Sequence, residues 1–174
     1  MARQVTSFSV IVKGSVVMSE TAETRVATLG LELPPAPQPI ANYVPATRVG
    51  NLLYVSGHGP VRPDGTMRVG RVGQEFDLEQ GRLEARQVGL AMLATLRVQL
   101  GSLDKVKRVV KVLGLVRSTD DFFDQPKVIN GFSDLMVDVF GDAGRAARSA
   151  LGTNTLPGGI AVEIEAIFEV RDDS

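Results

Sequence analysis

Few side chains in this sequence could carry out chemistry at neutral pH, and the most suggestive of them gather near its end. Arg148, within Ala146-Ala147-Arg148-Ser149-Ala150-Leu151, stays charged at any working pH and offers a planar fork of donors matched to a carboxylate. Glu163, Glu165 and Glu169 follow in the final run from Ile160 to Val170. A carboxylate beside an arginine can hold and activate a water without metal or histidine. The arginine's partner is therefore either one of these glutamates or the carboxylate of a small ligand, and the residues alone leave both open. For Glu165 and Glu169 a solvated strand face, or an edge protected by charge, is the simpler reading. A second candidate is Ser56-Gly57-His58-Gly59-Pro60, where small residues let a ligand approach the backbone closely. His58 is the sole histidine and reads as a loop or core residue rather than a base. The chain has no cysteine, which removes thiolate nucleophiles, disulfides and Cys-ligated metals.

These residues need elements to position them. In the final run Ile160, Val162, Ile164, Ala166, Phe168 and Val170 fall at every second position with the glutamates on the other face, which predicts a strand. Ser149 to Leu151 predicts another, and the Leu156-Pro157-Gly158-Gly159 turn is expected to fold one back on the other. Such a hairpin would bring Arg148 near the glutamates.

Upstream, residues 1–17 show no clear period and no secretory-signal pattern, and are expected to be an unstructured leader. Met18 stands just before the first patterned segment, where it would serve as an alternative start. Ser19 is placed to cap a short helix reaching about Leu31. Leu33-Pro34-Pro35-Ala36-Pro37-Gln38-Pro39 then predicts a stiff extended strap. Tyr43 to Arg48 reads as a strand, Val49-Gly50-Asn51 as a hairpin turn, and Leu52 to Gly57 as a second strand whose apolar run suggests cover on both faces. Pro63-Asp64-Gly65-Thr66 is a turn. Asp77 with Gln80 forms a capping pair for a helix to about Leu100, striped by Ala85, Gly89, Met92, Leu93, Leu96 and Leu100. Val106 to Val116 predicts a central strand, and Pro126 opens a second long helix along Ile129, Phe132, Leu135 or Met136, and Val139 or Phe140, that Gly141 to Gly144 ends. The order β, β, α, β, α, β, β defines an α+β domain with two helices available to cover one sheet face.

Composition narrows the function classes. At 174 residues and 44% hydrophobic, the chain suits one domain with a sizeable core. Nineteen basic residues against 20 acidic, with no aromatic-interleaved basic cluster, argue against nucleic acid. No apolar run reaches membrane-spanning length, and the lack of cysteine fits a reducing cytoplasm.

The run Ala147-Arg148-Ser149, the Leu156-Pro157 turn and Val162-Glu163-Ile164-Glu165-Ala166-Ile167 together resemble the C-terminal signature of the RidA/YjgF family of reactive-intermediate deaminases, with the Arg-to-Glu separation matching without a gap. Asn42-Tyr43, Val49-Gly50-Asn51-Leu52-Leu53-Tyr54-Val55-Ser56-Gly57 and Pro60 are similar to the same family's N-terminal hairpin. The two blocks bracket most of the chain, and residues 1 to about 40 lie outside them. The resemblance divides the chain into a leader (1–17), a short helix and Pro-rich connector (18–40) and a RidA-like domain (41–174). It implies a single mixed sheet with two long helices on one face, assembled as a barrel-forming homotrimer with sites in the clefts between subunits. It also implies cofactor-independent, metal-free hydrolysis of 2-enamine or 2-imine acids to 2-oxo acids and ammonia. Arg148 would anchor the substrate carboxylate and Glu163 would orient the attacking water. Tyr43, Ser56, Gly57 and Ala150 would shape the substrate pocket. Partners would be small 2-imino or 2-oxo acids, with neither membrane nor nucleic acid involved. A metabolite-binding trimer without turnover, and an RNA-directed activity, are the alternatives. The chain departs from the family pattern at His58, Ala150 and Asn154, and Asp124-Gln125-Pro126-Lys127 lies in a segment longer than usual.

Overall fold

The protein is described from a computed structural model over residues 20–39 and 41–171. Residues 1–17 and Ser19 lie outside the described residues, so the expectations for the leader and for Ser19 as a cap have no counterpart here. The short helix, α1, runs Ala22–Thr28 and is capped by the Thr21 side chain, with Val26 turned into the core.

Among the described residues five strands form one mixed sheet: β1 (Ala46–Val49), β2 (Leu52–His58), β3 (Val106–Arg117), β4 (Ala147–Thr153) and β5 (Val162–Val170). Their spatial order is β1-β2-β5-β3-β4, antiparallel throughout except for the parallel β3–β4 pair. Two long helices, α2 (Leu78–Leu100) and α3 (Gln125–Phe140), pack on one face of this sheet. The expected α+β architecture is therefore present.

Local chemistry accounts for the element ends. Asp77 accepts from the Gln80 backbone N–H while the Gln80 side chain accepts from the Asp77 N–H, a complete capping box. Gly101 stops α2 with a left-handed φ of 80°. The predicted stripe is buried, and Phe132, Leu135, Met136 and Val139 of α3 close the core against it. Along β5 the alternating apolar residues Val162, Ile164, Ala166, Phe168 and Val170 face the helices.

Two expectations are corrected. β4 does not pair with β5, because β3 lies between them and β4 runs parallel to β3 through the α3 crossover. Parallel neighbours need a crossover connection, and β3–α3–β4 is one. The Leu156 to Gly159 turn therefore reverses the chain without making a hairpin. β2 is covered on one face only: Leu53 and Val55 are buried, whereas Tyr54 is 43% exposed. No helix among the described residues is long and apolar enough to cross a membrane.

Candidate functional site

Glu163 lies on the sheet face away from the helices, because its neighbours Val162 and Ile164 point into the core. There it borders a cleft of about 660 Å³, whose other walls include Tyr43, Ser56, Gly57 and Glu165. Four of the six site residues expected from the sequence thus share one cleft. A bulge produces part of this geometry: β2 slips in register against β5 between Val55 and His58, which re-aims the Ser56-Gly57 backbone. The Glu163 carboxylate then rests directly against Gly57. A Cβ built on Gly57 would overlap Glu163 Oε1 and lie 3.2 Å from its Cδ, so only glycine leaves the carboxylate where it is.

Among the described residues Glu163 has no hydrogen-bond or ion-pair partner. Burial raises its pKa above the usual 4.5, and the nearby Glu165 charge raises it further. The result is a half-buried carboxylate with heightened proton affinity and open coordination, suited to taking a proton from water. Glu165 is exposed and lines the same cleft, so the solvated-face reading does not account for it fully. That reading does suit Glu169, which accepts from Lys107 Nζ at 2.7 Å, an interaction that lowers its pKa.

The other polar groups at the cleft are partly committed. The Ser56 hydroxyl donates to the Val44 carbonyl at 2.7 Å, leaving its oxygen only as an acceptor toward a ligand. Tyr43 is 45% exposed and sits ahead of β1 rather than within it. His58 is buried: Nδ1 faces the Ser56 carbonyl at 2.7 Å and Nε2 faces the Thr95 hydroxyl at 2.8 Å. A carbonyl can only accept, so Nδ1 carries the proton and Nε2 accepts from Thr95. Burial depresses the His58 pKa, consistent with the core role expected for it.

Arg148 and Ala150 stand elsewhere. Both belong to the edge strand β4, and Arg148 pairs in register with Val112, a helix-facing residue of β3. The guanidinium donates to Asn130 Oδ1 and Ser133 Oγ, each at 2.9 Å, and to the Pro126 carbonyl at 3.3 Å. The predicted proximity to the glutamates is thus corrected: Arg148 and Glu163 are two strands apart, roughly 10 Å across the sheet, and on opposite faces. All three acceptors around Arg148 are neutral, so its charge has no carboxylate partner among them. Arg148 and Glu163 cannot meet within one copy of the chain.

Sequence reasoning missed several cleft residues. Pro37 and Pro39 of the strap form one wall, and Val61, Met67 and Ile160 form others. None follows a helix or strand period, and only the proline-fixed extension of residues 33–39 hinted at a strap laid over the domain. The buried Glu84 of α2 was also missed. It accepts from Arg62 at 2.7 Å and pairs with Arg68 at 3.4 Å, tying the loop that carries Val61 and Met67 to the helix. No cluster of three or more His, Cys, Asp or Glu that could hold a metal occurs among the described residues.

Comparison with known proteins adds an independent line. The family model described as "YjgF/chorismate mutase-like, putative endoribonuclease" matches residues 23–162. Protein TCP17 of Trypanosoma cruzi is 40% identical over 159 residues, covering 91% of this chain and 99% of its own. A protein named 2-iminobutanoate/2-iminopropanoate deaminase from Dermatophagoides farinae is 33% identical over 143 residues, covering 81% and 95%. Among solved structures, a protein of unknown function from Agrobacterium tumefaciens superposes with a TM-score of 0.78 at 41% identity, covering 88% of this chain and 94% of that one.

Proposed function

Because the chain belongs to the YjgF/chorismate mutase-like family, we propose that it hydrolyses reactive 2-imino acids to 2-oxo acids and ammonia, at sites assembled between copies of itself. The observation that carries this reading is Glu163, a carboxylate of raised proton affinity set against Gly57, with neither a partner nor a cation on the cleft walls among the described residues. The substrate's own carboxylate needs a cation, and Arg148 has a charge balanced only by neutral acceptors. A second copy placing its β4 edge beside the first copy's cleft brings the two together. The open sheet face favours such packing: Tyr54, 43% exposed, lines a further hollow of about 600 Å³ there, and Leu151 of β4 is 53% exposed. We propose a homotrimer, whose heterologous contacts close into a ring.

In this scheme Arg148 grips the substrate carboxylate through two N–H donors. Glu163 takes a proton from water as the oxygen bonds to the C=N carbon, giving a tetrahedral carbinolamine. It returns that proton to the nitrogen, then moves the carbinolamine's hydroxyl proton to the same nitrogen as C=O forms and the C–N bond breaks, leaving a 2-oxo acid and ammonia. An enamine substrate first gains a proton at C3 and loses one from nitrogen to become the imine. The reaction needs no cofactor, and the named deaminase relative supports it. With no cysteine to oxidise, the protein suits a reducing cytoplasm.

The hydrogen bonds that already satisfy Arg148 favour a second reading, a trimer that binds 2-oxo acids without turnover. The family description also names endoribonuclease activity, against which stand a net charge of −1 and a cleft whose ionisable side chains include Glu163 and Glu165. The test is to generate 2-aminoacrylate with a serine dehydratase and follow pyruvate release. Acceleration by wild type and its loss in Arg148→Ala and Glu163→Gln are expected. No acceleration by wild type would overturn the deaminase reading for that methyl-bearing substrate, and RNA cleavage by a purified sample that survives both substitutions would support the endoribonuclease.

A further inference from the structure

Resting on the site just described, we infer that the cleft is built for 2-imino or 2-oxo acids bearing a bulky apolar side chain, branched or aromatic, rather than a methyl group. Besides Glu163, Glu165 and Ser56, the polar side chains lining the cleft are Gln38, Tyr43 and His58, and the rest of its lining, with Pro37, Pro39, Val61, Met67 and Ile160, is apolar. Met67 and Ile160 close over Gly59, where an added Cβ would lie 2.9 Å from Met67 Sδ and 3.0 Å from Ile160 Cδ1. Gly59 is two residues beyond Gly57 along a nearly extended chain, so this apolar floor begins roughly 6–7 Å from the carboxylate's resting place. A methyl substituent ends one C–C bond, about 1.5 Å, from the reacting carbon and cannot reach that floor. An isobutyl or benzyl group can.

The walls beside the floor are largely apolar, Gln38 on the strap being the polar exception. Pro37 and Pro39 face it from one side and Val61 from another. The strap is held where Pro34 is buried and Leu33 packs on the core, and its prolines fix the backbone φ, so this wall is formed before any ligand arrives. The Val61–Met67 wall is tied down by the Arg62–Glu84 pair and by Gln87 Nε2 donating to the Val61 carbonyl at 2.6 Å. Met67 is 42% exposed at the rim, and its unbranched thioether can adapt to side chains of several shapes. Such a pocket adds nothing for pyruvate-sized ligands and rewards each further methylene by tenfold or more.

The test measures binding of pyruvate, 4-methyl-2-oxopentanoate and phenylpyruvate to the full chain by calorimetry, for wild type, Met67→Ser and the double variant Pro37→Ser/Pro39→Ser. The two larger acids should bind wild type at least about tenfold more tightly than pyruvate, and the ratio should fall toward one in the variants. Pyruvate binding as tightly as the larger acids, no binding of any of the three, or a ratio that neither variant moves would overturn the inference. The outcome is separable from catalysis. A clear apolar preference without imine turnover would leave this inference standing and remove the deaminase reading, whereas turnover of small imines without the preference would do the reverse.

Discussion

Gly57→Ala should separate chemistry from folding. Gly57 sits at an exposed position of β2 and has no positive φ, so its backbone tolerates a side chain. Alanine there would reduce the freedom of the unfolded chain, a gain of about 0.4–1 kcal/mol. The new methyl would, however, overlap Glu163 Oε1 and stand 3.2 Å from Cδ and 3.4 Å from Cγ. Carbon atoms pack comfortably at about 3.5–4.0 Å, so the carboxylate must retreat by about 1 Å. The end of a glutamate moves cheaply, and the fold should keep its stability within about 1 kcal/mol. Alignment is less forgiving: an ångström of misplacement costs about 100-fold in rate, or ~2.7 kcal/mol of transition-state stabilisation. The assay pairs thermal unfolding with imine hydrolysis coupled to a dehydratase. An unchanged melting temperature with turnover lowered about 100-fold is the expected result. A folded variant retaining more than about a third of wild-type turnover would refute the idea that Glu163's position against Gly57 matters.

Four more predictions follow from charge and burial. Glu163 must be ionised to take a proton, and burial together with Glu165 raises its pKa, so the acid limb of kcat/KM should lie above pH 4.5 and move to lower pH in Glu165→Gln. The same shift means that Glu163's contribution to stability is greatest below 4.5 and is lost as pH rises through its folded pKa, a slope Glu163→Gln should remove in pH-dependent unfolding. His58 has a depressed pKa, so its contribution is complete above 6.5 and declines as pH falls through the folded value. His58→Ala leaves the Ser56 carbonyl and Thr95 hydroxyl without this partner and should cost about 1–3 kcal/mol in denaturant unfolding. An unchanged midpoint would contradict the core role. Glu84→Ala removes the carboxylate from Arg62 and Arg68, whose side chains are 28% and 46% exposed and can regain water, so the loss should be about 1–3 kcal/mol rather than the larger cost of stranding a fully buried charge. Proteolysis should then cut the 59–70 loop faster, and unchanged cleavage would contradict its role as an anchor.

The legibility of the sequence divides along the range of the forces involved. The capping box at Asp77 and Gln80, the Gly101 stop and the β5 alternation are local, set by hydrogen bonds and side-chain period within a few residues, and the structure reproduces them. The partner of each strand is not local. The Leu156 to Gly159 turn specifies a reversal but not which strand lies alongside, and β3, apolar enough to sit between two neighbours, takes the place beside β5. The β3–α3–β4 succession carried the missing signal, since a strand, a helix and a strand in sequence favour a parallel pair. Reading it would have removed Arg148 from the neighbourhood of the glutamates. Within the cleft, Tyr43, Ser56, Gly57 and Glu163 were legible through the family's motifs, whereas the walls at Pro37, Pro39, Met67 and Ile160 depend on how a strap and a loop settle on the sheet, which no residue period encodes.

The most direct test of the shared site mixes two inactive variants. Arg148→Ala retains Glu163 and Glu163→Gln retains Arg148, and the sheet topology places these residues two strands apart on opposite faces of one chain. If each site takes Glu163 from one copy and Arg148 from the next, unfolding and refolding an equal mixture should restore about one quarter of the wild-type sites, half of them having the intact glutamate and half of those facing an intact arginine. Recovery near that fraction, from variants that are each inactive alone, is the result predicted. Folded mixed assemblies that regain no activity would contradict the claim that the site is built between copies.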